Sequence, residues 1–201
     1  MAHIWPEDFK RSYRGIVKGN NMEKTESRRI QMTKALIRTA LVELMGEKNF
    51  ERITIKELCE QADVNRTTFY LHYADQRSVL NDVKESVCRR TVTMIAEADF
   101  SDPTDFVEQF LKYIKENDHQ FRILLMNDEG DSFRFALMDA VARELIPLLP
   151  TTADPQADAF GLAYLMAGSL SIIIEWMKTN YERSPRELAR FLFQINNSVK
   201  W

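Results

Sequence analysis

The sequence predicts an all-α protein, with an N-terminal three-helix helix-turn-helix domain and a C-terminal helical bundle. Three observations carry that expectation. Glycine and proline number only 6 each in 201 residues, so long loops and series of β-turns are not indicated. Apolar residues recur at i, i+3, i+4 and i+7, the spacing of one helix face. Helix-start signals recur too, as Thr54-x-x-Glu57, Asp102-Pro103 and Ser184-Pro185.

The first helix is predicted over Thr33 to Glu47, where Leu36, Ala40, Leu41, Leu44 and Met45 lie near one face. Its approach is basic, with Lys24, Arg28, Arg29, Lys34 and Arg38. Thr54 and Glu57 form a capping box, in which each side chain satisfies an orphan backbone N–H of the first turn. Ile55, Leu58, Cys59 and Ala62 then mark one helix face. Asp63 breaks the pattern, Val64 packs back as a turn residue, and Asn65 is a good N-cap for the next helix. In that helix Phe69 and Tyr73 are four apart and share a face. Thr67, Thr68, Tyr70 and Leu71 fall on the far side or its flanks. Asp75 caps a long helix in which Leu80, Val83, Val87 and Met94 recur at heptad-like spacing.

The chemistry of the short third helix suits DNA. Threonine hydroxyls hydrogen-bond base edges, and a threonine methyl meets a thymine methyl. Tyr70 and His72 are placed to donate to phosphate oxygens, and Arg66 is long enough for a phosphate or a guanine. An ordinary helical hairpin with a polar outer face would share some of these features. The amphipathic helix before the pair and the long helix after it favour a three-helix reader of the major groove.

The remaining chain reads as five helices. Ser101-Asp102-Pro103 starts one in which Phe106, Val107, Phe110, Leu111 and Ile114 form a stripe. His119 to Met126 is a short second helix, and Asn127 to Asp131 is a loop by composition. Ser132 to Leu149 follows, closed by Pro147 and Pro150. Thr151 to Pro155 is a linker, with Pro155 suited to a first helical turn. From Gln156 to Asn180 the chain is strongly apolar, and between Ala159 and Ile174 it carries no charge. That uncharged run is shorter than the roughly 20 residues a bilayer needs. It contains Gly161, Gly168, Ser169 and Ser171 and stops at Glu175, so packing among helices is expected and a membrane span is not. Ser184-Pro185-Arg186-Glu187 starts the last helix, with Leu188, Phe191, Leu192 and Ile195 on one face. A monomer of this size cannot easily wrap the 156–180 helix on every side, which argues for a symmetric dimer.

Charge divides along the chain. Residues 1–90 hold 17 Lys and Arg against 13 Asp and Glu, while residues 91–201 hold 10 against 17. The positive half is expected to face phosphate. Two cysteines, Cys59 and Cys88, form no disulfide framework and read as buried free thiols. His3, His72 and His119 are scattered, and no Cys/His/Asp spacing suggests a metal. No Gly-rich phosphate loop, nucleophile elbow or paired-carboxylate signature is present. No catalytic residue, metal or cofactor is expected, and the chain does not read as an enzyme. Residues 1–21 have no apolar stretch of signal-peptide length, so a cytoplasmic protein is expected.

Residues 28 to 88 resemble the DNA-binding domain of the TetR family of bacterial transcriptional regulators. The resemblance lies in the run from Thr33 to Tyr73, above all in Thr68-Phe69-Tyr70-Leu71-His72-Tyr73. The family shows Thr or Ser, an apolar residue, Tyr, any residue, His or Tyr, then Phe or another apolar residue. It implies that Asn65, Arg66, Thr67, Thr68, Tyr70 and His72 contact DNA, with Arg29 and Thr54 flanking them, and that Phe69 and Tyr73 hold the helix to its scaffold. Where the family often places a phosphate-binding Lys, this chain has Gln76, expected to hydrogen-bond a phosphate, and then Arg77, expected to replace the charge one residue later. The segments AGSLSIIIEWMKTN and SPRELARFLFQI are similar to the dimerisation helices of a Gram-positive subset of the family.

The resemblance implies four parts: an extension over 1–21, disordered or non-native; a helix-turn-helix domain over 22–74; a connecting helix over 75–98; and an effector-binding and dimerisation domain over 99–201. Residues 1–21 fit nothing in the family pattern, whereas the stretch from Met22 looks like a natural start. A homodimer through 156–180 and 184–198 would bind a palindromic operator in double-stranded DNA. A small apolar or aromatic effector would sit against Phe110, Tyr113, Phe121, Met138, Tyr164 and Trp176, or a protein co-regulator would take its place. The expected function is a repressor released by its effector. The alternative is an architectural or cell-division DNA-binding factor of the same fold, with no small-molecule effector.

Overall fold

Six of the nine helices among the described residues begin where a short polar side chain accepts from an otherwise unsatisfied N–H of the first turn. The computed structural model describes residues 28–98, 102–126, 130–146 and 153–198. The expectations for residues 1–21, for Lys24, for Ser101, for Asn127 to Glu129 and for Pro147 to Thr152 lie outside the described residues, whereas Gly130 and Asp131, expected in the loop, open a helix. Those that are described form nine α-helices and no strand. The chain divides into two compact units, with the division between Ser86 and Val87.

In the first unit, helix α1 runs Arg28–Glu47, five residues earlier than the apolar pattern alone suggests. Ile37, Ala40, Leu41, Val42, Leu44 and Met45 are buried, whereas Leu36, expected on this face, is exposed and Ile37 takes its place. A 3-10 turn, Phe50–Arg52, brings Phe50 into the core. Helix α2, Ile55–Gln61, starts at the predicted capping box. Thr54 accepts from the Glu57 N–H, and the Thr54 N–H donates to Glu57 Oε2 at 3.0 Å. Asp63 takes a left-handed φ of 51°, which turns the chain between α2 and the next helix. Aspartate tolerates that conformation better than most residues. Helix α3, Arg66–His72, follows its N-cap Asn65, whose side chain accepts from the Thr68 N–H at 2.7 Å. Helix α4, Gln76–Ala96, is capped by Asp75, which accepts from the Ser78 N–H at 2.7 Å. It contains the division between the units.

In the second unit, helix α5 is Pro103–Glu116, with Asp102 as N-cap and proline in the first turn, as predicted. Helix α6 is Asp118–Met126. Helix α7, Gly130–Leu145, starts two residues earlier than composition suggests. The reason is tertiary: Arg134 Nε donates to the Leu125 carbonyl at 2.8 Å, drawing the first turn of α7 onto the end of α6. A Cβ at position 130 would lie 3.0 Å from that same carbonyl oxygen, so a larger residue there would push the two helices apart by a few tenths of an ångström. Helix α8 is Pro155–Lys178, with Asp154 as N-cap, and helix α9 is Pro185–Ser198. A second capping box, Ser184 with Glu187, starts α9. Helix α9 packs along α5, α6 on α7, and α8 on both α6 and α7. Leu111, Ile114, Phe121, Leu125, Phe133 and Met177 form the fully buried centre of this unit.

The turn between α8 and α9 carries two consecutive left-handed residues, Asn180 and Tyr181, at φ 54° and 63°. Side chains hold it. The Tyr181 ring meets Trp176 edge-on at 4.6 Å, its hydroxyl donates to Asp118, and Arg122 donates to the Met177 carbonyl at 2.7 Å.

Candidate nucleic-acid interface

Helix α3 has two unlike sides, and the difference follows from its seven residues. Phe69 and Tyr73 are buried, their rings 5.9 Å apart, and Phe69 also meets the Tyr70 ring edge-on at 5.5 Å. Arg66, Thr67, Tyr70 and Leu71 are exposed, while Thr68 and His72 are half-buried on the flanks. Tyr70 keeps 57% of its surface open, and Leu71 keeps 75%. A short helix clamped on one side and open on the other presents its outward side chains to a groove without unfolding anything.

One carboxylate joins the end of α3 to α1 and α4. Asp82 on α4 accepts from the Tyr73 hydroxyl at 2.6 Å and from Arg38 on α1 at 3.1 Å. Burial works against the Asp82 charge, but the Tyr73 hydrogen bond and the charges of Arg38 and Lys34 outweigh it, so its carboxyl stays below the ordinary value. Neither Asp82 nor its link to Tyr73 is visible in the helical pattern.

The other residues expected at DNA fall at the edges of this face. Arg29 is exposed on α1. Thr54 and Asn65 are exposed N-caps whose side-chain oxygens serve the first turns of α2 and α3. Beside Thr54, the hydrogen bond from Lys48 and those from Thr54 lower the Glu57 carboxyl to about 2. Gln76 donates to the Ile53 carbonyl at 3.5 Å. Arg77 is ion-paired with Glu51 at 2.8 Å and stacks over the Phe50 ring at 4.4 Å. Both side chains therefore have partners within the chain.

The charge expectation changes once the unit is resolved. Residues 28–86 hold 10 Lys and Arg against 9 Asp and Glu, so this unit is nearly neutral. The excess read over residues 1–90 comes mostly from Arg89 and Arg90 and from residues before 28. What distinguishes the outer face of α3 is which side chains are open, not bulk charge.

In the second unit, three of the expected effector residues come together. The Phe110 and Phe121 rings meet edge-on at 6.4 Å, Tyr113 and Phe121 at 5.4 Å, and Phe106 stacks on Phe110 at 6.2 Å. Tyr113 is half-buried, and burial raises its hydroxyl pKa. Met138 is half-buried on α7. Two others sit elsewhere. Trp176 is buried, and its Nε1–H already donates to the Arg183 carbonyl at 2.8 Å. Tyr164 lies on the outer surface of α8, 60% exposed, near Phe160 at 67%. Of α8, Gly161, Leu170, Ile173, Trp176 and Met177 are buried within the chain, and most of the rest of the helix is not. By length and composition this 24-residue helix is long and apolar enough to cross a membrane, although its uncharged run is shorter.

Known proteins share this architecture. Residues 37–83 match the family model for bacterial regulatory proteins of the tetR family, and residues 101–198 match one for a transcriptional regulator C-terminal region. An uncharacterized HTH-type transcriptional regulator of Bacillus subtilis, YxbF, is 22% identical over 174 residues. The match takes in 82% of this chain but 45% of that relative, so the chain spans about half its length. A TetR transcriptional regulator from Streptococcus agalactiae superposes with a TM-score of 0.64 at 22% identity, over 90% of this chain and 98% of that one. The dihydroxyacetone kinase operon activator DhaS superposes with a TM-score of 0.60 at 18% identity, over 83% and 94%. At these identities the solved structures establish a shared fold.

Proposed function

The chain belongs to the TetR family of bacterial regulatory proteins, and from that premise we propose that it is a sequence-specific transcriptional regulator acting as a homodimer on a palindromic operator. The observation that carries the reading is the two-sidedness of α3, with Phe69 and Tyr73 buried and Arg66, Thr67 and Tyr70 open. Thr67 and Thr68 would meet base edges, Tyr70 and His72 phosphate oxygens, and Arg66 a phosphate or guanine. Arg29 would add a flanking phosphate contact. Arg77 would exchange Glu51 for phosphate, with Gln76 beside it.

The support for pairing is the uncovered apolar face of α8, where Phe160 and Tyr164 stand open. A second copy laid against residues 156–180 and 184–198 would cover that face in water and leave no reason to invoke a bilayer. Two α3 helices about 34–36 Å apart would then enter successive major grooves. A DNA partner would place the protein in the cytoplasm.

Phe110, Tyr113 and Phe121, with Met138, are the residues we propose for a small apolar or aromatic effector, with a protein co-regulator as the other source of the signal. The effector would favour a conformer in which α4 tilts and the spacing of the two readers changes. Coupling of about 1–3 kcal/mol would lower operator affinity about 5–150-fold. We propose repression released by effector. DhaS is by name an operon activator, and a reporter driven by the selected operator decides between the two signs.

The deciding experiment is selection of bound fragments from a random DNA pool by the full chain. A palindrome with half-sites about one helical turn apart is expected. Enrichment of no sequence, or of a single unrepeated site, would overturn the reading.

A further inference from the structure

Leu71 is the most exposed large apolar side chain among the described residues. It follows Thr67 by four positions on α3, so the leucine side chain and the threonine methyl share one stripe of the outer surface. Tyr70 borders that stripe, and Phe69 and Tyr73 are buried away from it. The outer face of α3 therefore has a polar part and an apolar part.

The apolar part has a definite chemical meaning if the face meets DNA. Leucine offers neither donor nor acceptor, so it cannot bond a phosphate oxygen or the polar edge of any base. The apolar group that a base pair presents in the major groove is the C5-methyl of thymine. A leucine pressed against any other base edge would desolvate polar atoms without pairing them. We infer that Leu71, together with the methyl of Thr67, selects thymine through its C5-methyl at one or two positions of each half-site. The inference rests on the DNA-reading role proposed above for α3. Four residues advance a helix by about 6 Å, against about 3.4 Å per base along one strand. The two thymines therefore lie one to two base pairs apart.

The test replaces thymine by deoxyuridine, one position at a time, in a palindrome selected by the full chain. This removes the C5-methyl and leaves every hydrogen-bonding group in place. At one or two positions affinity should fall about fourfold per half-site, the equivalent of losing contact with one methyl-sized group, and about fifteenfold when both half-sites are changed. Leu71→Ala, at a position open to solvent, should keep the helical spectrum and the dimer, bind more weakly, and lose its sensitivity to uracil at one of those positions. Tight binding with no uracil effect anywhere would overturn the inference while leaving the DNA-reading role standing. Undiminished uracil sensitivity in Leu71→Ala would do the same. Failure of the parent chain to select any DNA would remove the role and the inference together.

Discussion

The Tyr73 hydroxyl donates to Asp82 Oδ2 at 2.6 Å, joining the residue that ends α3 to the long helix after it. Arg38 reaches the same oxygen from α1 at 3.1 Å, so one carboxylate ties three helices together. Hydrogen bonds to a charged acceptor contribute more than neutral ones, roughly 1.5–3 kcal/mol. Tyr73→Phe keeps the buried ring and removes only the donor. It should lower stability by about 1–2 kcal/mol, seen as a lower urea midpoint with unchanged slope. An unchanged midpoint would mean that Arg38 alone satisfies Asp82.

Tyr70 is mostly open, and its removal costs the core little. Tyr70→Ala should leave the helical spectrum intact and weaken operator binding roughly tenfold. Because no charge is lost, the slope of log affinity against log salt should stay the same. Arg66→Ala, by contrast, should flatten that slope by about one unit. Parent-like affinity of Tyr70→Ala in a gel shift would remove Tyr70 from the interface.

Tyr164 stands on the uncovered face of α8. A glutamate there would be solvated in a lone subunit but would carry an uncompensated charge into a subunit interface. Tyr164→Glu should sediment as a monomer at micromolar concentration, keep its helical content, and bind operator on the order of a hundredfold more weakly. A dimer that survives this change would place the interface elsewhere.

Asp139 is buried on α7 and ion-paired with Arg143 at 2.9 Å. Burial raises its pKa, outweighing the pull of Arg143. The folded state therefore holds a proton where the unfolded chain has lost one, and stability falls as pH rises through the raised pKa. Asp139→Asn should melt about 2–4 °C above the parent at pH 7. That gap should close as pH drops toward the unfolded-state value near 4. A lower melting temperature for Asp139→Asn at neutral pH would show that the ion pair outweighs burial.

The starts of α2, α3, α5, α8 and α9 are legible in the sequence because each is made by side chains within three residues of the backbone they serve. Thr54 with Glu57, Asn65, Asp102 with Pro103, Asp154 with Pro155, and Ser184 with Glu187 all work at that range. The alternation of Phe69 and Tyr73 against Thr67 and Tyr70 is legible for the same reason, since helical geometry alone sets it.

Beyond that range the chain's order is silent. The early start of α7 depends on Arg134 reaching the last turn of α6. The anchoring of α3 depends on Asp82 and on Arg38, 44 positions apart. Trp176 and Tyr164 read alike as aromatic residues with polar tips, yet one bonds the Arg183 carbonyl inside the fold and the other faces outward. Local sequence determined the helices, their caps and the outward chemistry of α3, because those follow from neighbours along the backbone. Tertiary structure alone decided which carboxylate steadies α3, which aromatics meet one another and which apolar face was left open, because each depends on residues that folding brings together.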